Sequence, residues 1–268
     1  MCEYYERLLH DGDSMRRPPG GATTGALSGH YASPGIGLGL SAGAVEYDDF
    51  SATHASNRQG SLLWAIASVS GQATASQSAS SAATEYGITA LTPGGSNKGG
   101  TLYRDSSGPM YTPGSGMLWC VKIAVGSSGS NLELWSGWTT SESGRVRTAD
   151  STGLVGIRYD SAGAGTWEGV VKDGAGSGNE TSTNLGALSV GSYLHAGWEA
   201  QTSDNTLVIQ FFTLDTSNRM GLIRTDVGSA VSANIPTGLI PTALGCYRSG
   251  GSGFAMIDLW QFTGRAAR

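Results

Sequence analysis

The chain has 268 residues, of which 42 are glycine and only 14% are charged, with a formal net charge of −5. This balance excludes a typical helical enzyme, because residues that favour helix interiors are sparse and never accumulate at helical spacing. It also excludes a nucleic-acid-binding face, since Lys and Arg are scattered apart from the Arg16-Arg17 pair. The hydrophobic fraction of 39% still suffices for one core.

Residues 1–60 read as an arm or linker. A helix-compatible start, EYYERLLH, gives way to RRPPGGATTGALSGHYASPGIGLGLSAG, which is rich in Gly, Pro and Ser and has few bulky apolar residues. The first seventeen residues are charged and lack the apolar centre of a secretory signal, so the expected site of synthesis is a cytoplasm. No apolar run approaches the roughly 20 residues that span a bilayer, and no membrane partner is expected.

Residues 61–268 read as one all-β domain. Strands are predicted at 61–70, 101–105, 117–125, 132–138, 153–159, 166–171, 194–202, 207–215, 242–248 and 254–262, joined by turn formers such as GSSGSN, SAGAG, SDN and RSGGSG. This spacing is that of an antiparallel sandwich or barrel. The Ala- and Ser-rich segment 71–87 reads as a loop. LHAGWEAQT-SDN-TLVIQFFTLD predicts a hairpin turning at Asp204-Asn205. GLVGIRY-DSAGAG-TWEGVV predicts another, with Val155, Ile157 and Tyr159 on one face and Arg158 on the other. Cys120 and Cys246 lie in strand-like runs and Cys2 near the N-terminus. The reading is of reduced thiols, a Cys120–Cys246 bridge requiring neighbouring strands.

Carboxylates are the first candidates for chemistry. Glycoside hydrolases need two carboxyl groups roughly 5–9.5 Å apart, which a β-sandwich supplies at alternate positions along one strand. No strand shows Glu-x-Asp-x-Glu: Glu133 stands alone, Glu46 and Asp48 lack a third acid, and Asp160, Glu168 and Asp173 are spread over a hairpin. No catalytic residue is assigned. Three of the four histidines, His10, His30 and His54, lie in the arm, and GLSAG at 39–43 lacks the strand-to-helix setting of a nucleophile elbow. Asp215 and Asn218 leave most of calcium's 6–8 oxygen ligands unaccounted for, so no metal or other cofactor is expected. Seven tryptophans remain. Trp119, Trp198 and Trp260 sit in apolar runs and read as core. Trp135 and Trp138, three apart on one strand and so on opposite faces, and Trp167, which starts a strand beside a loop, are candidates for glycan or subunit contact.

From about residue 100 onward the order of elements resembles the concanavalin A-like (LamG-type) jelly-roll virion proteins of tailed bacteriophages. The pieces that carry the resemblance are GMLWCVKIAV, VGIRYDSAGAGTWEGVVKDG, GSYLHAGWEAQTSDNTLVIQFFTLD and MIDLWQFTGR, the last with Asp258 inside an apolar run. The resemblance implies a non-enzymatic capsid-decoration, head-fibre or tail protein, assembled in the host cytoplasm. Other virion proteins would be its partners through the arm, and it would be a homo-oligomer, often a trimer in such proteins. A carbohydrate-binding adhesin for host surface glycans is the alternative, and a glycoside hydrolase or polysaccharide lyase a third reading.

Overall fold

Runs such as MLWCVKIAV are apolar at nearly every position, so both faces of the strand must be covered. The computed structural model describes residues 44–48, 50, 58–59, 62, 64–69, 73–78, 88–104, 111–127, 131–140, 153–160, 165–174, 177–215, 223–251 and 253–264. Among these, sixteen strands, numbered in chain order, form two antiparallel sheets. The first sheet runs from β14 (Ile223–Val231) through β13 (Thr206–Asp215), β12 (Tyr193–Ser203), β7 (Met117–Val125), β16 (Ala255–Gly264) and β5 (Ile88–Pro93) to β4 (Ala73–Ser78), with β1 (Ala44–Asp48) also paired to β16. The second runs from β11 (Glu180–Gly186) through β10 (Trp167–Asp173), β9 (Gly153–Asp160), β8 (Leu132–Thr139), β15 (Ile240–Arg248) and β6 (Lys98–Tyr103) to β3 (Trp64–Val69) and β2 (Arg58–Gln59).

The sheets stack face to face. Their inner faces supply one core in which Trp119, Trp138, Trp198 and Trp260 sit among Tyr111 and Phe262, with Trp138 edge-on to both of the latter at 4.7 and 4.5 Å. Burial of this much aromatic surface is the main driving force for the sandwich. All ten strands predicted from sequence are present, β7 with the predicted bounds. The β12–β13 hairpin turns at Asp204 (φ 49°) and Asn205 (φ 63°), the two successive left-handed residues of a type I′ turn.

Six strands had no clear sequence signal. β1 and β2 lie within the segment read as an arm, and β4 within 71–87, read as a loop; the structure corrects that reading for Ala73–Ser78, which pairs with β5 over six residues. β2, β4, β11 and β14 are the edges of their sheets, where one side needs no apolar partner.

A buried polar network anchors β1. The Asp48 carboxylate, fully buried, accepts hydrogen bonds from the backbone N–H of Phe50 (2.8 Å) and Leu62 (2.9 Å) and from Trp64 Nε1 (2.8 Å). Glu46, two residues earlier on the same face, accepts from Arg104 Nη1 (2.7 Å) and the Tyr111 hydroxyl (3.0 Å). Burial, then the neighbouring Glu46 carboxylate, raises the Tyr111 pKa above the usual tyrosine value, so the phenol remains a donor. The one Glu-x-Asp pair at alternate strand positions is thus engaged in holding the fold together.

Candidate functional site

Residues of β8, β9, β10 and β15 that do not point into the core form the outer face of the second sheet. Leu132 and Leu134 enter the core, so Glu133 and Trp135 face outward. Registers then place Tyr247, Glu133 and Asp160 side by side on β15, β8 and β9, and Trp135, Arg158 and Glu168 side by side on β8, β9 and β10. Directly opposed residues have Cβ atoms about 4.5–5.5 Å apart. Glu133 and Asp160 therefore form a carboxylate pair contributed by two strands, a pairing that the spacing along any single strand does not reveal. The Tyr247 hydroxyl donates to Asn97 Oδ1 at 3.2 Å beside them.

The next row is already committed. Arg158 Nη2 contacts Glu168 Oε2 at 2.7 Å and Glu180 Oε1 at 2.8 Å. Burial disfavours the guanidinium charge, but the two carboxylates more than offset this and raise its pKa above the usual arginine value. The outward positions of β9 are Leu154, Gly156, Arg158 and Asp160, so an arginine occupies the middle of the row where alternating acids would stand. Replacing Arg158 by Met leaves two partly buried carboxylates facing each other; a loss of about 1–3 kcal/mol is expected, read as a lower urea midpoint at unchanged slope. Arg158→Lys should restore only part of it, because an ammonium lacks the guanidinium fork.

The three candidate tryptophans separate. Trp135 lies on the outer face, its indole seated over Gly245, where a Cβ would come within 2.1 Å of Nε1, and packed with Leu154 and Val170. Trp138 and Trp167 belong to the inter-sheet core, each 1% exposed, which corrects the expectation of a contact position for them. Trp167 pairs with Tyr159 across the hairpin and its ring meets that of Tyr159 at 5.4 Å, inside the sandwich. Trp135 too is 1% exposed and Glu133 6%, whereas Tyr247, Asp160, Glu168 and Asn97 are at least partly accessible.

Other candidates resolve similarly. His10, His30, His54 and Asn218 lie outside the described residues, and Asp215 is exposed at the end of β13. Among the described residues no group of three or more His, Cys, Asp or Glu could hold a metal ion, and no helix is long and apolar enough to cross a membrane. Cys120 and Cys246 are buried on different sheets and form no disulfide; burial pushes the Cys246 thiol up to about 12, far from a nucleophile's range.

His195, on β12 opposite Lys122, is 5% exposed and neither ring nitrogen has a hydrogen-bond partner. Burial, then the Lys122 charge, lowers its pKa from 6.5 to about 3. Between those values the unfolded chain binds the proton and the folded chain does not. His195 therefore destabilises the fold as pH falls below 6.5, by up to about 1.4 kcal/mol per pH unit, and does so no further below about 3. His195→Leu should flatten the acid limb of the stability–pH profile; an unchanged slope would show that other groups set it.

No protein-family model matches the chain, and no curated protein does. Solved structures do. The lectin-like defence protein arcelin-5 of Phaseolus vulgaris superposes with a TM-score of 0.50 at 9% identity, covering 84% of this chain and 99% of its own. The fold is that of a concanavalin A-like jelly roll. The β-glucanase of Bacillus licheniformis matches this jelly roll at 12% identity with a TM-score of 0.47, covering 82% of this chain and 98% of its own. An immunostimulatory antigen and pseudo β-1,3-glucanase of Mycobacterium tuberculosis matches at 10% and 0.48, covering 81% and 97%. At such identities the likeness concerns the jelly roll alone.

Proposed function

We propose that this jelly roll is a non-enzymatic structural protein of a tailed-phage virion, a decoration, head-fibre or tail-associated component that joins other virion proteins through residues preceding the sandwich. The phage assignment rests on the sequence resemblance. The observation that carries the non-enzymatic part is the outward row of β9, in which Arg158 stands between Gly156 and Asp160 and ties down Glu168 and Glu180. Particles purified by density gradient should contain this chain at a fixed stoichiometry to the capsid or tail proteins; its absence from them overturns the reading.

A second reading, recognition of host glycans, is favoured by the partly exposed Asp160 carboxylate, which lies two strands from the Tyr247 phenol with the buried Glu133 between them, polar groups of the kind sugar hydroxyls bond. It is compatible with residence on a particle. Saturable binding on a glycan array that disappears in Asp160→Asn and Tyr247→Phe supports it, and an array without signal rejects it. Release of reducing sugar from capsular polysaccharides, abolished by Glu133→Gln, would instead establish the pair as hydrolytic.

A further inference from the structure

β14 is the outermost strand of the first sheet, paired with β13 on one side and with no described strand on the other. An open edge of this kind is a template for a further strand, which proteins commonly block with bulges, charges or covering chain. The second half of β14 is blocked. Gly228, with φ 66°, bends it toward β11, where a Cβ would come within 2.6 Å of Thr183 Cγ2, and the register with β13 slips between Val227 and Val231.

The first half is open. Ile223, Arg224, Thr225 and Asp226 are exposed and Val227 half-buried. Ile223, at 48%, is the most exposed large apolar side chain among the described residues. Val227 lies opposite the core residue Phe211, so Ile223 and Thr225 share its inward face. Their exposure leaves room behind the edge for a neighbour.

The order of side chains says which neighbour fits. Arg224 and Asp226 share the outer face, where the guanidinium lies 4.4 Å from the Phe212 ring centre. Its Nε donates to Asp226 Oδ1 and its Nη1 to Glu199 Oε2, which leaves Nη2 for a further acceptor. When two copies of one strand pair antiparallel about a two-fold axis normal to the sheet, residues directly opposite each other lie on the same face. An axis through Arg224 would set Arg224 against itself, and one through Asp226 would set Asp226 against itself. Axes through Ile223 or Val227 bring no opposite charges together. An axis through Thr225 sets Arg224 against the partner's Asp226 twice, and Ile223 against the partner's Val227 twice. Opposite charges and apolar pairs support such a contact, and like charges oppose it. One register is thus favoured by both kinds of pair.

We infer that Ile223–Val227 is a self-association edge, to which a second copy of this chain adds its own β14 antiparallel about a two-fold axis at Thr225. The two first sheets then form one continuous sheet. The contact is isologous, so it closes at two copies and cannot by itself build a trimer. Five residues a side make an interface well below the roughly 800 Å² per partner of a standard one, and a reversible dimer of micromolar affinity is expected. The inference does not depend on the virion reading.

Sedimentation velocity of the full-length chain, from about 1 to 500 µM, should show the mass rising from 27.5 kDa toward twice that value. Asp226→Arg sets two guanidinium groups against each other at both ends of the contact and should weaken the dimer by about tenfold or more. Arg224→Asp combined with Asp226→Arg should restore it. A monomer throughout, a trimer, or a dimer indifferent to Asp226→Arg overturns the inference. Where the exchange fails to restore the dimer, because Arg224 also serves Glu199 and Phe212, cysteine variants decide. In the full-length Cys2→Ser chain, Thr225→Cys places a thiol on the axis, and mild oxidation should join two copies through it. Ile223→Cys should not link, because in that register the two thiols stand four residues, about 13 Å, apart along the strands. Equal linking of the two variants, or none by Thr225→Cys, overturns the inference.

Discussion

Asp48→Ala is expected to lower stability by about 3–6 kcal/mol, because two buried donors, at about 1–3 kcal/mol each, and the part-buried Leu62 N–H, at less, lose their acceptor at once. Against a total of about 5–15 kcal/mol for a domain, that removes much of the margin and should appear first as loss of soluble expression. The conservative change is informative. The Phe50 N–H binds one carboxylate oxygen, while Leu62 N–H and Trp64 Nε1 share the other. An asparagine amide in place of the Asp48 carboxylate would keep one acceptor oxygen and lose the other. Asp48→Asn should therefore fall between wild type and Asp48→Ala in urea midpoint. An Ala variant within about 1 kcal/mol of wild type would mean that the network does not anchor β1.

Gly197→Ala should be comparably severe, at about 3 kcal/mol or more, for a steric reason. β12 and β7 pass so closely that a Cβ at residue 197 would stand 2.0 Å from the Trp119 carbonyl oxygen and 2.8 Å from Cys120 Cα. Both are backbone atoms of a central strand and have nowhere to go without parting the sheet between Trp119 and Trp198. Gly178, in the short 3-10 turn Ser177–Asn179, meets nothing within 4 Å and is the matched control. Gly178→Ala should stay within about 0.5 kcal/mol of wild type. Equal midpoints for the two variants would contradict the close approach.

The sandwich was legible wherever a strand carries a run of apolar residues. β7, β8, β15 and β16 are buried at nearly every position, β12 and β13 are apolar through their centres and open toward the hairpin end, and the Asp204-Asn205 turn is written in two adjacent residues. Edge strands were less visible, since a strand such as ATASQS owes its conformation to β5 beside it and to no apolar period of its own. β1 was hidden differently: its acids look like those of a solvated linker, and only the fold reveals that Asp48 and Glu46 meet Trp64, Arg104 and Tyr111, up to 65 positions away. The outer-face carboxylate pair was illegible for the same reason, because Glu133 and Asp160 meet through strand register. The tryptophans show the limit of alternation. It correctly puts Trp135 and Trp138 on opposite faces, but exposure depends on what lies over each face, and all three candidate rings are covered.

The central claim, a non-enzymatic jelly roll that resides on a phage particle, is tested most directly by reconstitution. Particles assembled without this chain should take up the purified full-length protein saturably, to a stoichiometry set by the symmetry of the capsid or tail, with no sugar released from host polysaccharide. Failure to bind such particles, or depolymerisation of the polysaccharide by the protein alone, would contradict it.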